Sequence, residues 1–525
     1  MKSRTIDHWN PEDPGFWEKT GKKIAGRNLW ISIPALLLAF SVWMMWSIII
    51  VQMERLGFMF TSDPSVNKAM LYSLPAIAGL AGATLRIPNS FLIAIGGGRN
   101  VIFINTLLLL IPSIGAGIAL QNIHTPYLMF AFLAATSGFG GGNFASSMSN
   151  INHFFPKKMA GTALGLNAGL GNLGVSVMQW LLPVTMGFAL FGTLGGDGMI
   201  KPVPTGQEST GALVFIQNSG WTWVPLLIIL TIAAWFGMNN LRSGSPFLKS
   251  DLQGILRSLY LVLLGVVATS VGAYMLIFFK LSMWIVLPVT ITVALALMKF
   301  LAPGEIKTSL DNQFKIFNNK HNWIMTILYV MTFGSFIGFS GAFPKLIQDV
   351  FGYLPGGEVN PNAPNPMTWA WIGPFLGAVI RPVGGWLSDK INSGSRVTQW
   401  STILQIVAAA GVAYFIIQAR ESAAPETYFI PFFILFVLLF IGAGIGNGST
   451  FRSIPYIFPK ELAGPVLGWT SAIAAYGAFI IPKVFGQQIQ HKTPEYAMYG
   501  FTIYYIICLV LNWYYYDRKN AEIKC

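Results

Sequence analysis

Long apolar blocks recur along the chain, each about 20 residues long, the length an α-helix needs to cross ~30 Å of hydrocarbon. Short polar or Gly- and Pro-rich stretches separate them. The pattern predicts two groups of six helices. The first group is expected near residues 29–51, 70–94, 101–119, 126–150, 159–188 and 221–241, and the second near 323–347, 368–388, 398–418, 427–449, 463–488 and 495–515.

A further apolar stretch, 257–302, lies between the groups and is interrupted near Lys280. It is long enough for two more spans, which would leave the orientation of the second group unchanged. We expect a membrane hairpin here and 14 spans in total. The alternative is a single tilted or surface-lying segment. The predicted divisions are an N-terminal segment 1–28, a first half 29–241, a linker 242–322 that contains the hairpin, a second half 323–515 and a tail 516–525.

Composition supports an all-α polytopic membrane protein. The chain has 525 residues, of which 54% are hydrophobic and 10% are charged, against about 25% charged in an average soluble domain. The net charge is +13, but most lysines and arginines fall on segments that would be cytoplasmic if both termini were inside. The positive-inside rule therefore explains the charge better than nucleic-acid binding does.

The two halves are related by an internal repeat. The segment 154–161 (FFPKKMAG) matches 457–464 (IFPKELAG), and 82–86 (GATLR) matches 377–381 (GAVIR). Parallel six-helix repeats with charged inner loops are typical of the two halves of a major facilitator transporter. The sequence therefore predicts that fold.

The second pair of segments places Arg86 and Arg381, each a lone arginine in an apolar helix, at equivalent positions. A guanidinium in hydrocarbon costs roughly 2.5–3.5 kcal/mol even on lenient insertion scales, and arginine cannot discard its charge by deprotonation. Snorkelling to the inner interface is the alternative explanation for each residue. Two such charges at equivalent positions favour a bound anion at the interface of the repeats.

Glycines crowd the fourth and fifth helices of each half. Small residues let membrane helices approach closely and slide past one another. Tight packing alone and packing combined with rocking of one half against the other both fit this pattern. The glycines that we assign to conformational change are Gly161, Gly165, Gly169, Gly171, Gly464, Gly468 and Gly477.

Two long motifs carry a family resemblance. The segments 140–150 (GGGNFASSMSN) and 161–176 (GTALGLNAGLGNLGVS) resemble the nitrate signature of the nitrate/nitrite porter family, and 464–479 (GPVLGWTSAIAAYGAF) resembles its second signature. The resemblance covers most of the chain except the first 28 residues and the 245–320 insert. It implies alternating-access transport of nitrate and nitrite in a bacterial cytoplasmic membrane.

The resemblance also implies roles for individual residues. Arg86 and Arg381 match the family's two substrate arginines, and Asn172 matches an asparagine that donates a hydrogen bond to the substrate. Flat rings are expected above and below the flat anion. The residues that match these aromatic positions are Phe144, Tyr329 and Phe333.

The coupling ion depends on which acidic groups lie in the membrane. Glu54, Asp349 and Asp389 fall at helix ends, and no acid lies well inside a predicted core span. A proton symporter usually needs an intramembrane acid or histidine, so we favour nitrate/nitrite antiport. Nitrate/proton symport is the alternative, with His153, at the inner end of the fourth helix, as the possible proton relay or simply an interfacial polar residue.

Two inner loops resemble degenerate copies of a facilitator loop whose charges hold the outward-open state. They are 96–99 (GGGR) and 388–396, which contains Asp389. The first copy lacks its acid, which puts any latch there in doubt.

Other functional classes have less support. The sequence shows no nucleophile elbow, Walker sequence or metal-ligand cluster, so we expect neither an enzyme nor a resident metal or cofactor. A nitrate sensor would be expected to carry a signalling domain, and a channel would not need sliding glycine faces. The two cysteines, Cys508 and Cys525, predict no disulfide framework. A monomer in the lipid bilayer is the default expectation for this architecture.

Overall fold

Helices make up most of the computed structural model, which describes residues 4–200, 213–458 and 460–525. The first half begins with a short helix and a π-helical turn, Trp17–Gly21, and continues in long helices that follow the apolar blocks. Its helices are α1 (Pro14–Phe16), α2 (Lys22–Met44), α3 (Trp46–Arg55), α4 (Pro64–Asn89), α5 (Ile93–Gly96), α6 (Gly98–Leu108), α7 (Leu110–Ala119), α8 (Tyr127–Ser137), α9 (Phe139–Phe154), α10 (Lys157–Thr185), α11 (Asn218–Trp221) and α12 (Val224–Gly237).

The insert and the second half follow in the same way. The insert contains α13 (Asp251–Ile277), α14 (Met283–Leu301) and α15 (Gly304–Gln313). The second half contains α16 (Lys320–Tyr329), α17 (Ser335–Phe351), α18 (Pro366–Trp369), α19 (Ile372–Val379), α20 (Arg381–Lys390), α21 (Gly394–Glu421), α22 (Phe429–Ile457), α23 (Lys460–Ala475), α24 (Gly477–Gln490) and α25 (Pro494–Asn512). Shorter 3₁₀ and π turns lie at Gly192–Gly195, Phe314–Asn318, Val330–Gly334, Pro425–Tyr428 and Trp513–Asp517.

The residues that the structure describes contain two short strand pairs. Strand β1 (Thr5–Ile6) pairs in parallel with β4 (Asn240–Leu241), and β2 (Met199–Ile200) pairs antiparallel with β3 (Leu213–Val214). The second pair lies in the connection between α10 and α11.

Both ends of the described chain lie at one end of the helical bundle, which we call the terminus face. The β1–β4 pair joins the N-terminal segment to the end of the first half. The Cys525 carbonyl accepts hydrogen bonds from the Ser395 backbone (3.1 Å) and hydroxyl (2.7 Å), beside the loop between α20 and α21. The other end of the bundle, with the loops around residues 56–63 and 352–365, is called the opposite face.

The N-terminal segment is more structured than its polarity suggests. Trp9 and Trp17 are buried in a small cluster with Phe154 and Leu241 on the terminus face. Helix α2 begins at Lys22, inside the segment predicted to be a polar extension. The two tryptophans explain the difference, because burial of large aromatic rings stabilises a segment that is otherwise polar.

Eleven helical segments in the described ranges are long and apolar enough to cross a membrane. Both long helices of the insert, α13 and α14, are among them. Residues 127–154, 157–185 and 366–390 also form long helical stretches, but they are interrupted or rich in polar and small residues. These three stretches carry Phe144, Asn172 and Arg381. The helices with the lower hydropathy are therefore helices that are expected to bind substrate.

The insert packs on the first half. Helices α13 and α14 lie along each other, and α13 also contacts α4, α5 and α6. Arg99 at the start of α6 is buried and forms an ion pair with Asp251 at the start of α13 (2.5 Å). Its guanidinium also lies over the Trp235 ring, 4.5 Å from the centroid. An acid from the insert therefore pairs with the arginine of the first loop copy.

A short segment on the terminus face connects α14 to the second half. It consists of α15 and the turn Phe314–Asn318. The Phe314 ring contacts Phe91 of the first half (5.8 Å between centroids), and the Phe317 ring contacts Trp469 of the second half (4.7 Å). This connection therefore touches both halves.

Candidate functional site

Arg86 is held in the middle of the bundle by close packing of α4 and α9. Gly82 and Gly141 bring the two backbones so close that a methyl group on Gly141 would meet the Gly82 backbone. The Gly141 carbonyl thereby accepts a hydrogen bond from Arg86 Nε (2.8 Å). Arg86 Nη1 donates to the Ser471 carbonyl of the second half (3.2 Å), and Arg86 is fully buried.

Arg381 occupies the equivalent place in the second half. Gly377 and Gly444, the repeat equivalents of Gly82 and Gly141, make the matching backbone contact between α19 and α22. The helix is interrupted at Ile380, so Arg381 begins α20 and is only 5% exposed. The repeat seen in the sequence is thus also a repeat of helix packing.

The guanidinium groups retain unused hydrogen-bond donors. Within the described residues, Arg86 Nη2 and all three guanidinium nitrogens of Arg381 have no hydrogen-bond partner. Buried donors without partners are rare in native proteins and call for an explanation. A bound anion with several oxygen acceptors would provide one.

Aromatic rings surround the two arginines. The Arg86 Cζ atom lies 4.8 Å from the Phe144 centroid and 5.1 Å from the Phe333 centroid. The Arg381 Cζ atom lies 5.6 Å from the same Phe333 ring and 4.1 Å from Phe336. Phe333 therefore contacts both guanidinium groups, one from each half of the protein.

Phe144 and Phe333 are the expected flat rings, and they come from opposite halves. Their centroids are 5.8 Å apart and their planes differ by 19°. A flat anion between two ring faces needs about 7 Å, since each van der Waals contact takes about 3.5 Å. The rings would have to part by about 1 Å to admit the anion between their centres.

Tyr329 lies beside these rings, at the end of α16. It directly precedes the π-helical turn Val330–Gly334, and such turns occur frequently at functional sites. Its ring is 5.9 Å from that of Phe333. The hydroxyl lies close enough to both arginines and to Asn447 to interact with them electrostatically.

Asn172 is fully buried in α10, and one of its donors is already used. Its Nδ2 donates to the Ala168 carbonyl one turn earlier (2.6 Å), while Oδ1 has no partner in the described part of the chain. One N–H of the amide remains for another acceptor. Its predicted role as a substrate donor stays a prediction.

Three of the glycines assigned to conformational change are packing positions. A methyl group on Gly171 would meet Leu36, one on Gly468 would meet Ser90, and one on Gly477 would meet the Gly334 backbone. Gly468 and Ser90 belong to different halves, so their contact lies at the seam between them.

Two others face open space. A methyl group on Gly165 or Gly169 would meet no atom within 4 Å. Gly165 is the repeat equivalent of Gly468, so the packing at this position differs between the two halves. Gly161 and Gly464 lie in α10 and α23, but their surroundings are outside the described part of the structure.

His153 is not brought to the arginines. It is exposed at the terminus-face end of α9, next to Gly244. It lies nine residues beyond Phe144, a rise of about 13 Å along the helix. A role in proton transfer stays a prediction, and any such role would need a path of that length.

A buried ion cluster joins the two halves near the opposite face, and sequence reasoning did not find it. We call Glu54, Lys68, Lys345 and Asp349 the opposite-face cluster. Lys345 pairs with Glu54 (2.7 Å) and Asp349 (2.5 Å), and Lys68 approaches both acids at 3.7 and 3.6 Å. Lys345 is fully buried and the Asp349 side chain is 2% exposed, so the bundle is closed at this level.

The sequence indicated that both acids are at helix ends, which is correct, but not that they are buried. Lys345 and Asp349 are spaced i, i+4 in α17, a spacing that signals an ion pair. Their partners on α3 and α4 are remote in sequence. No local pattern reveals that contact.

Other site residues were also missed. Phe336 packs on Arg381, and the Trp43 ring lies 5.5 Å from the Arg86 Cζ atom. The Thr84 and Tyr476 hydroxyls are hydrogen-bonded across the halves (2.9 Å). A signal existed for the last pair, since Thr84 lies in the repeated segment 82–86 and Tyr476 in the second signature.

No group of three or more His, Cys, Asp or Glu side chains that could hold a metal occurs in the ranges described. Both cysteines are buried and unpaired.

Comparisons with a family model and with known proteins agree on one family. Residues 7–179 match the model of the Major Facilitator Superfamily. A protein of Thermus thermophilus named "Probable nitrate/nitrite antiporter NarK2" is 36% identical over 100% of this chain and 99% of its own length. The chain belongs to the nitrate/nitrite porter family of the major facilitator superfamily. Another relative, "Nitrate/nitrite transporter NarU" of Escherichia coli (strain K12), is 37% identical over 98% of this chain and 97% of its own.

Solved structures support the porter's fold. The chain is similar to a partially occluded inward-open conformation of the xylose transporter XylE from E. coli, with a TM-score of 0.55, 12% identity and coverage of 93% of this chain and 99% of that one. A peptide transporter POT in complex with sulfate gives a TM-score of 0.56 at 13% identity, covering 94% and 96%. At such identities the likeness establishes the fold alone.

Proposed function

We propose that this porter moves nitrate and nitrite across the bacterial cytoplasmic membrane by alternating access, with the anion held between Arg86 and Arg381. The observation that carries the proposal is the pair of buried guanidinium groups whose remaining N–H donors have no partner within the described residues. Relatives named for nitrate and nitrite transport at 36–37% identity support the choice of anion.

The geometry favours a planar oxyanion. Each guanidinium offers N–H donors in a flat fork that matches two oxygens of one anion. The nearly parallel rings of Phe144 and Phe333 favour a flat ligand by shape. A tetrahedral sulfate or phosphate would force those rings further apart.

The charge of the site favours exchange. Two buried cations facing one monoanion leave a net charge of about +1, whereas the empty site carries +2. Burying unpaired charge is costly. Reorientation of the empty carrier should therefore be slow and that of the loaded carrier fast, which is the behaviour of an antiporter.

The two acids of the opposite-face cluster are already paired with cations. Glu54 and Asp349 are engaged by Lys345 and Lys68 in the opposite-face cluster. Nitrate/nitrite antiport is the mechanism we propose. The alternative is nitrate/proton symport through His153, and the experiment below distinguishes the two mechanisms.

We further propose a 14-span topology with both termini cytoplasmic. The spans are the eleven apolar segments and the three more polar stretches at 127–154, 157–185 and 366–390. Helices α13 and α14 are two of the eleven and would form the membrane hairpin. The terminus face is then cytoplasmic, and the opposite-face cluster closes the periplasmic side. A single copy contains the whole site, in keeping with a monomer.

The test is nitrate uptake into proteoliposomes preloaded with nitrite or with chloride, with and without an inward proton gradient. We expect uptake that requires internal nitrite and is insensitive to the proton gradient, both in the parent and in His153→Ala. Proton-driven uptake into chloride-loaded vesicles that is lost in His153→Ala would replace antiport by symport. No uptake of either anion under any condition would reject the proposed substrate.

A further inference from the structure

Asn447, in the middle of α22, is a buried amide without a structural role. It is fully buried, and neither Oδ1 nor Nδ2 has a hydrogen-bond partner among the described residues. Leaving both groups of a buried amide unpaired lowers the stability of a protein. Such a group needs an explanation outside ordinary packing.

The neighbours of Asn447 belong to the candidate site. Its amide lies beside the Tyr329 hydroxyl, although the two do not form a hydrogen bond of good geometry. Phe451, one turn further along α22, packs edge-on against the Tyr329 ring (5.5 Å, 85°). The face of α22 that carries Asn447 and Phe451 is therefore turned towards Tyr329.

The repeat gives an independent reason to place Asn447 at the site. Gly141 in α9 corresponds to Gly444 in α22, and the residues three positions later are Phe144 and Asn447. Phe144 lies against Arg86. At equivalent positions, the first half thus presents an aromatic face and the second half presents an amide.

The chemistry of the amide suits an oxyanion. Nδ2 carries two N–H donors and Oδ1 is an acceptor. A Tyr329 hydroxyl that turns towards Oδ1 would satisfy the acceptor and leave the amide donors for a ligand. Neutral donors also add direction without adding charge, so they can orient an anion that the arginines attract.

We propose that Asn447 is a further substrate-binding residue, whose Nδ2 donates a hydrogen bond to an oxygen of the planar anion bound between Arg86 and Arg381. This inference rests on the proposed function and extends it to the second-half helix α22. It makes Asn447 a contact for the substrate rather than a support for Tyr329.

The test is nitrate binding to the purified protein by calorimetry, with Asn447→Leu as the main variant. Leucine is similar in size and removes both polar groups. We expect the Kd for nitrate to rise about 10-fold or more, and a factor of ten corresponds to ~1.4 kcal/mol. Without nitrate, the melting temperature should stay the same or rise, since an unpaired amide has been replaced by an apolar group.

The matched control is Asn322→Leu. Asn322 is also fully buried with an unpartnered amide, but it lies on α16 seven residues before Tyr329, about 10 Å along the helix. We expect its nitrate Kd to equal that of the parent. An equal loss of affinity in both variants would overturn the proposal.

A double-mutant cycle separates contact from positioning. If Asn447 contacts the anion, Asn447→Leu weakens binding in the parent and again in a Tyr329→Phe background. A loss that disappears in the Tyr329→Phe background would make Asn447 a positioning residue and overturn the inference. If the parent binds no nitrate, the proposed function itself fails, whereas normal binding by Asn447→Leu overturns only the present inference.

Discussion

Replacing Lys345 by methionine should open the porter on the opposite face. Lys345 lies in the second half and pairs at 2.7 Å with Glu54 of the first half, as well as with Asp349 on its own helix. Methionine keeps a flexible apolar side chain and removes the charge. Two largely buried acids then remain in the closed state, with Lys68 at 3.6–3.7 Å as the neighbouring cation. Asp349 also accepts a hydrogen bond from the Tyr72 hydroxyl (2.7 Å), and Glu54 accepts one from Gln348 (3.0 Å).

The magnitude follows from the burial of the cluster. Removing one partner from a buried ion pair typically costs about 3–5 kcal/mol. We take the lower end, because Glu54 is 16% exposed and Lys68 still approaches both acids. When the halves part at this face, water reaches the acids and relieves most of the cost. The ratio of closed to open forms should therefore fall by about 100-fold, since 1.4 kcal/mol corresponds to a factor of ten.

The assay is the labelling of a single introduced thiol. Met44 is buried against Gly341 of the other half, next to Trp43 at the level of Arg86. A Met44→Cys substitution, in a background with both native cysteines replaced by serine, reports whether the opposite face is open. Spheroplasts would be treated with a membrane-impermeant maleimide, and we expect a much faster reaction when Lys345→Met is added.

Two further variants test the reasoning. Lys345→Arg keeps the charge and should leave the labelling slow. Lys68→Met removes a lysine that is 29% exposed and lies at longer distances, so its effect should be roughly 1 kcal/mol or less. Labelling in Lys345→Met no faster than in the Met44→Cys parent would refute the role of the cluster in closing this face.

Four other substitutions have expected outcomes. Arg381→Lys keeps the charge but loses the flat fork, so the nitrate Kd measured by calorimetry should rise about 10- to 100-fold; an unchanged Kd would contradict bidentate binding. Gly174→Ala places a methyl group against the Leu37 carbonyl and should lower the melting temperature. The methyl group of Gly169→Ala meets no atom, so the melting temperature should stay unchanged. Gly169→Ala should nevertheless slow transport if the α10 face closes during the cycle. Equal transport rates in Gly169→Ala and the parent would contradict a role for Gly169 in conformational change. Asp251→Asn removes the charge that faces buried Arg99 and should destabilise the protein by about 1–3 kcal/mol, visible as a lower melting temperature. An unchanged melting temperature would mean that the Trp235 ring and Asn100, whose Oδ1 accepts hydrogen bonds from Arg99 Nε (3.3 Å) and Nη2 (3.2 Å), suffice to hold the guanidinium.

Local patterns predicted much of the helical framework. Apolar blocks located most long helices, because the cost of unpaired backbone groups in lipid leaves helices as the main choice. They did not predict the interruption at Ile380 or the π-helical turn Val330–Gly334. Pro382, in the first turn of α20, lacks the N–H that would continue the preceding helix, so the interruption has a local cause that hydropathy does not register.

The site was only partly accessible from the sequence. The repeat led to Arg86 and Arg381 because membrane-embedded charge is conspicuous, and the family resemblance added Phe144, Tyr329 and Phe333. Their gathering around the Phe333 ring could not be derived from spacing. The sequence does not single out Asn447, because isolated asparagines are common in apolar helices. Its lack of hydrogen bonds is visible only in the structure.

The seating of α13 and α14 on the first half bears on how the protein is made. Domains generally fold as units, and the N-terminal one first, while the ribosome is still at work. The Arg99–Asp251 ion pair can therefore form before any residue of the second half leaves the ribosome. The first half and the proposed hairpin would then form an eight-helix unit before the second half is synthesised. During that time the hairpin would shield part of α4 from lipid and from proteases.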